Sequence, residues 1–383
     1  MGKRNIAIDI FRGLTMALMV CVNDFWSVHD VPHFLEHFAT LEDGMGLSDI
    51  IYPMFLFAMG MSIPLALERR FHKGETLESI LRHILGRTLA LLLMGSFIVN
   101  AESGIAWNKG VYWLLMVTGF ILVWNDYKPE SAIRRPLRIT GIVILSSLAI
   151  AFRDPGGGLF RASWWGILGQ IGWMYLFAAS AYILCRNRKW ALGLLWFVFC
   201  LLNIFVAPMR SGGELLGGNF ISDFSEALHL GNGHSIIMAL GGVLCVLGEQ
   251  KLPKDKLAIG LAAAAALALM GALTHRWWIV SKNLGTLPWC LYVSAISVAL
   301  YSLLRAFEMK GCTNWAKPLS PAGKATLTVY ILPYFYYCFW IFLNPTVPEW
   351  MSGWIGVTKC ALFSALCIFT AWCLGKLGIK LKI

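Results

Sequence analysis

Charge is what this sequence has least of. Only 14% of its 383 residues are Asp, Glu, Lys or Arg, while 58% are hydrophobic and the mean hydropathy is +0.65. A soluble globular domain carries about 25% charged residues, so that class is excluded. Paired cysteines are lacking as well. The ten cysteines form no C-x-x-C motif, and nine of them (21, 185, 200, 245, 290, 338, 360, 367 and 373) fall in or beside apolar runs. Neither a disulfide framework nor a zinc site is expected. The apolar runs do not alternate with polar residues as barrel strands must. The glycines of FRDPGGGLFRAS follow no strand and are closed by no Lys-Ser/Thr, so they make no phosphate loop. No internal repeat or inverted pair of halves is found, which counts against a secondary transporter.

What is present is a succession of apolar runs, each long enough to cross a hydrocarbon core of about 30 Å as a helix. They cover 6–23, 49–67, 84–100, 110–125, 137–152, 164–185, 190–207, 233–249, 256–274, 287–305, 323–343 and 354–375. The expected fold is therefore all-α, a polytopic membrane bundle of about 12 (10–12) helices forming a single domain over 1–383. The first run carries Asp9 and Arg12 and ends without a small-x-small site, so it is expected to stay as a helix rather than act as a cleaved signal. Basic residues divide 24 to 7 between the two sides of these spans, with Arg12 inside the first. By the positive-inside rule both termini are expected in the cytoplasm, and the net charge of +11 reflects topology rather than nucleic-acid binding.

On the side expected to face outward, the densest group of ionisable side chains lies between Asn23 and Gly60. Asn23 and Asp24 end the first run, Asp49 opens the second, and His29, His33 and His37 hang on the connection between them. That connection is several times longer than the usual 4–6 residues, and long loops carry function. Histidine takes and gives a proton near neutral pH, so the loop is read as the reaction site. Ser48 and Asp49 suit a helix N-terminus, and Asp49 also suits the orienting of an imidazole; the two readings are compatible. In the first run Asp9, Arg12 and Asn23 fall within about 60° of one another around a helix. That stripe is either a packing ion pair or the lining of a donor passage. The basic segment ERRFHKGETLESILRHILGR leads to Arg87, inside an apolar run, and either contacts anionic lipid or attracts a phosphorylated donor. Gln170 can bond a ligand or a neighbouring helix. Spans 110–152 form a scaffold hairpin, and the outer loop near 208–232, with Asp223, Glu226 and His229 followed by His234, is read as a lid.

Several motifs, in order, resemble a known family. IDIFRGLTMALMVCVND, the His-bearing loop, LSDIIYPMFLFAMGMSI, WWGILGQIGWMYLF, HSIIMALGG, SKNLGTLPW and LSPAGKATLTVYILPYF are similar to the membrane core of heparan-alpha-glucosaminide N-acetyltransferase and its bacterial relatives. The resemblance implies transfer of an acetyl group from cytoplasmic acetyl-CoA to an amino sugar or other glycan on the far side of a bacterial inner membrane. Carried over by position, the catalytic residues are Asn23, His37 and Asp49, with His37 preferred for its spacing to the LSD segment. Arg12, Arg87, Gln170, Lys282 and Asn283 are the candidates for binding the donor. The sequence departs from the animal pattern at His234 (Asn there), at Gly285 (Trp there) and by the hairpin at 110–152. These differences leave the acceptor, and N- against O-transfer to an envelope polysaccharide, open. Expected partners are acetyl-CoA, the glycan, membrane lipid and a second copy of the chain, with no metal and no nucleic acid. The rival class is a polytopic transporter of a small polar solute.

Overall fold

The computed structural model describes residues 5–128, 130–164, 166–213, 223, 231–250, 256–343 and 346–383. Among them are thirteen α-helices and no β-strand. In chain order they are α1 Ile6–Asn23, α2 Leu47–His72, α3 Leu77–Ser103, α4 Lys109–Trp124, α5 Arg134–Ala151, α6 Ile167–Leu184, α7 Trp190–Val206, α8 His234–Gln250, α9 Lys256–Thr274, α10 Leu287–Met309, α11 Ser320–Lys324, α12 Thr326–Leu343 and α13 Gly353–Lys376.

Eight helices among the described residues (α1, α2, α3, α6, α9, α10, α12 and α13) are long and apolar enough to cross a membrane. The chain is accordingly read as an integral membrane protein. The other four of the about twelve expected spans fall short for visible reasons. α4, α7 and α8 are apolar but have only 16 or 17 residues, and α5 carries Arg134, Arg135 and Arg138 in its first turns. Most of the expected lid loop, including Glu226 and His229, lies outside the described residues, as do Lys3, Arg4, Lys251 and Lys254.

The chain divides into two compact units. The first comprises Met1–Thr15, Pro32–Ile84 and Met174–Lys317, and the second Met16–Val31, Leu85–Trp173 and Pro318–Ile383. α1 thus gives its first ten residues to one and its last eight, ending in Asn23, to the other.

In the first unit, α2 and α8 meet backbone to backbone. A Cβ on Gly60 would stand 2.0 Å from the Ala239 carbonyl oxygen, and one on Gly242 would stand 2.0 Å from that of Phe57. Helices in lipid associate by van der Waals packing, which small residues permit, and these two glycines set the crossing. α2 runs unbroken through Pro53 and Pro64. At its far end Glu68 accepts two hydrogen bonds from the Arg186 guanidinium, at 3.0 and 2.9 Å, and one from the Tyr182 hydroxyl at 2.8 Å. α9 packs on α10, with Gly271 against the Tyr292 ring and Gly260 against Ser302.

The second unit uses the same device. Gly119 of α4 packs on Leu145, Gly141 of α5 packs on Leu122, and Gly95 of α3 faces the backbone of Gly169. Asn100 exchanges two hydrogen bonds with the Arg161 backbone, donating at 2.7 Å and accepting at 3.1 Å. Ser364 of α13 donates to the Ala17 carbonyl at 2.6 Å, which ties α13 to the second half of α1.

Candidate active site

Asp49 is the third residue of α2, where four backbone N–H groups lack helical partners. Its Oδ2 accepts from the N–H of Gly46, which precedes the helix, at 3.0 Å, and from the N–H of Phe38 at 3.1 Å. Its Oδ1 lies 2.7 Å from His37 Nδ1. The carboxylate therefore caps the helix and holds the imidazole at once, and its side chain is only 2% exposed. Ser48 serves the same end differently: its hydroxyl donates to the Leu35 carbonyl at 2.6 Å and pins the incoming loop. Gly46 is required there, because a Cβ would stand 2.0 Å from the Glu36 carbonyl oxygen.

An ionised carboxylate only accepts hydrogen bonds, so its contact selects the His37 tautomer with the proton on Nδ1. Nε2 is then left with its lone pair, and it makes no hydrogen bond among the described residues. The His37 side chain is 52% exposed, so this nitrogen is open to a substrate. Lys282 Nζ lies 3.1 Å from His37 Nδ1 and 3.8 Å from Asp49 Oδ1; because the nearer carboxylate takes the Nδ1 proton, Lys282 acts on the pair as a neighbouring charge and not as a donor to the ring. Burial holds the Lys282 ammonium below the ordinary lysine range, against the opposing pull of Asp49.

The segment 275–286 clamps the loop that carries His37. Asn283 donates to the Phe38 carbonyl at 3.3 Å and to Thr40 Oγ1 at 3.4 Å. Ser281 donates to the Thr40 carbonyl at 2.9 Å, and the Gly44 N–H donates to the Val280 carbonyl at 2.9 Å. Asp43 closes the clamp by accepting from Arg210, from the Val280 N–H at 2.8 Å and from His275 Nε2 at 2.8 Å. Burial would raise the Asp43 pKa, but these three donors outweigh it and the carboxyl sits below its usual range. The turn itself depends on Gly285, whose φ is +57° and whose carbonyl accepts from Asn203 at 2.8 Å and from Asn232 at 3.0 Å.

The three loop histidines are thus distinguished by their partners. His33 Nε2 lies 2.6 Å from Glu42 Oε1, and its ring stacks on Phe38. Its hydrogen bond is the main reason that the Glu42 carboxyl lies below its ordinary value. His29 belongs to the second unit, where its backbone pairs with Met351 and Gly353. His37 alone of the three is held by a buried carboxylate.

Asn23 also belongs to the second unit, where it lines a cavity of about 390 Å³. The walls include Glu102 at the end of α3, Lys109 and Trp113 of α4, and Tyr334 and Tyr337 of α12. The Tyr334 hydroxyl donates to Glu102 at 2.8 Å, and the Lys109 ammonium lies 4.8 Å from the centre of the Trp113 ring. The buried Trp113 Nε1 has no hydrogen-bond partner among the described residues. Beside this wall the wholly buried Asp24 accepts from Lys359 Nζ at 2.7 Å and from the Tyr337 hydroxyl at 2.9 Å, and Lys359 also donates to Ser27 at 2.5 Å.

Of the residues singled out in the sequence, His37, Asp49, Lys282 and Asn283 come together in the first unit, which also contains Arg12. Asn23, Arg87 and Gln170 fall in the second. Lys282 and Asn283, read from sequence as donor-binding, stand against His37 and its loop. Sequence reasoning gave no part to Asp43, Arg210 or His275, which lie 167 and 232 residues apart along the chain. It also gave none to Glu102, Lys109 and Trp113, which lie at the ends of apolar runs and there look like interfacial residues.

Two known proteins share sequence with this chain. Heparan-alpha-glucosaminide N-acetyltransferase of Mus musculus is 31% identical over 137 residues, which is 33% of this chain and 20% of that protein. The Homo sapiens protein of the same name is 30% identical over 127 residues, 30% of this chain and 18% of its own length. The chain matches about a fifth of the length of these curated relatives. The model of the family described as "Domain of unknown function (DUF5009)" matches residues 4–214, more than half of the 383, and the chain belongs to that family.

Proposed function

We propose that this chain is a membrane acyltransferase that moves an acetyl group from acetyl-CoA to an amine or hydroxyl of a glycan, with His37 as the general base. The observation that carries the proposal is the open Nε2 of an imidazole whose other nitrogen is held by the buried Asp49. In this reading the acceptor's N–H or O–H gives its proton to Nε2 as its lone pair forms a bond to the acetyl carbon. The C–S bond then breaks, and the leaving thiolate takes the proton from Nε2. Asp49 steadies the imidazolium formed midway, and the adjacent Lys282 ammonium supplies positive charge for the developing oxyanion. Asn23, which lines the cavity of the second unit, is proposed as catalytic from its place at the end of α1. Arg12, Arg87 and Gln170 are assigned to the anionic, amide-bearing donor. The donor enters from the cytoplasmic side of a bacterial inner membrane, where both termini lie, and the glycan is met on the opposite side. The names of the two relatives and the apolar helices support this reading.

The test uses the purified full chain in liposomes with acetyl-labelled acetyl-CoA and a glycan ending in glucosamine. Label appearing in the glycan is the expected result. Uptake of unmodified solute without CoA, and no label transfer to amine or hydroxyl acceptors, would overturn the proposal in favour of a transporter.

A further inference from the structure

A second cavity, much larger than the one lined by Asn23, has no part in the site above. It lies in the first unit between α8, α9 and α10 and encloses about 970 Å³, at the upper end of what ligand pockets reach. Along most of its length the walls are apolar. On α9 they run from Lys256 to Met270, which is about 20 Å of helix. One leaflet of the hydrocarbon core is about 15 Å deep, so the groove is long enough for an acyl chain. Phe57, Trp196 and Met270 lie towards the uncharged part of the groove.

Charge is confined to one end, where the C-termini of α8 and α10 meet the N-terminus of α9. There the lining holds Lys256, Arg305 and Lys310 against Glu249, and with Glu308, which meets Arg305 from beside the lining, the mouth carries a net charge of +1 (three positive, two negative). Glu249 is consumed by its neighbours, accepting from Arg305 Nε at 2.9 Å, Tyr301 at 3.0 Å and Lys256 Nζ at 3.2 Å. Arg305 is further held by Glu308 at 2.7 Å. Lys310 is exposed and has no carboxylate partner among the described residues. A cationic mouth over a long apolar groove is complementary to one kind of molecule, an anion with a hydrocarbon tail.

We infer that this groove is a binding site for an anionic phospholipid, its phosphate at Lys310 and the outer faces of Arg305 and Lys256, its acyl chain along the α9–α10 groove. The inference rests on the chain being a membrane protein and not on the acyltransferase reading. A free phosphate would leave the apolar length unused, and a zwitterionic lipid would leave the excess charge at the mouth unmet.

The test is native mass spectrometry of the full chain in detergent, titrated with phosphatidylglycerol or with phosphatidylcholine of the same acyl chains. The wild type should retain phosphatidylglycerol at least fivefold better, since each basic residue near a headgroup contributes about that factor. Lys310→Gln should reduce the preference about fivefold. Ala266→Trp, placed in the apolar wall, should reduce retention of both lipids. The exposed Lys310 variant keeps the test open should the tryptophan variant fail to fold. Equal retention of the two lipids by the wild type, an unchanged preference in Lys310→Gln, or an unchanged retention in a folded Ala266→Trp would overturn the inference. Displacement of the lipid by soluble glycerol phosphate, or by CoA, would also overturn it, the latter by making the groove a donor site.

Discussion

Asp49 in the first unit and Asp24 in the second are both carboxylates shut away from solvent beside a nitrogen base, yet their surroundings differ in one respect that decides their use. Asp24 is 0% exposed and its partner Lys359 only 26%, and that ammonium is bonded again by Ser27. Asp49 is 2% exposed, but its partner His37 is 52% exposed and has a nitrogen to spare. A closed pair resists change because either charge alone would be stranded in low dielectric. A half-open pair has a fixed end and a reactive end. The same pairing thus serves packing in one unit and, in the proposed function, chemistry in the other.

The comparison is broken most severely at Asp49. Replacing it by Asn leaves one oxygen for the Gly46 and Phe38 N–H groups but removes the charge that selects the His37 tautomer. Acetyl transfer should fall by about 10²–10⁴-fold while the unfolding midpoint moves little. At Asp24 the outcome should invert: Asp24→Asn strands the Lys359 charge and should cost about 3 kcal/mol of stability in a denaturant titration. Should Asp49→Asn unfold the protein and Asp24→Asn leave its stability untouched, the assignment of roles is reversed.

A smaller effect tests the frame on which the first pair is built. Gly60→Ala puts a methyl 2.0 Å from the Ala239 carbonyl oxygen, and should lower stability by about 1–3 kcal/mol as α2 and α8 are forced apart. Gly86→Ala on α3, where a Cβ meets nothing within 4 Å, should be neutral or stabilising by up to about 1 kcal/mol.

The smallest effect concerns the clamp. The Asp43 carboxyl has a pKa below its unfolded value, so its stabilising contribution is complete above the ordinary carboxylate range near 3.9 and is lost as pH falls through the lower, folded value. Its partners are partly exposed, so about 1 kcal/mol or less is at stake. Melting curves of the wild type and Asp43→Asn should differ at neutral pH and converge on strong acidification.

How much of this was legible in the sequence follows from the range of the forces involved. Helix positions follow local apolar content, and the runs at 6–23 and 256–274 coincide with the ends of α1 and α9. The N-terminal place of Asp49 is equally local. Its bond to His37 spans 12 residues and agrees with both readings of that aspartate. What escaped is what folding brings together from afar. Lys282 is 245 residues from His37, and nothing near it in sequence points to that neighbour. Asp43 is in sequence one more acid of the loop, and only folding brings Arg210 and His275 to it. Glu102 and Lys109 look in sequence like charges at membrane edges, whereas folding turns both onto the cavity lined by Asn23.

The central claim is that one histidine of the loop, and not the loop's histidines in general, takes the acceptor's proton. Rates of labelled acetyl transfer should be measured side by side for His29→Ala, His33→Ala and His37→Ala in the full chain. The account predicts a loss of about a hundredfold or more in His37→Ala and changes within a few-fold in the other two. Full activity in His37→Ala, or an equal loss in His33→Ala, would contradict it.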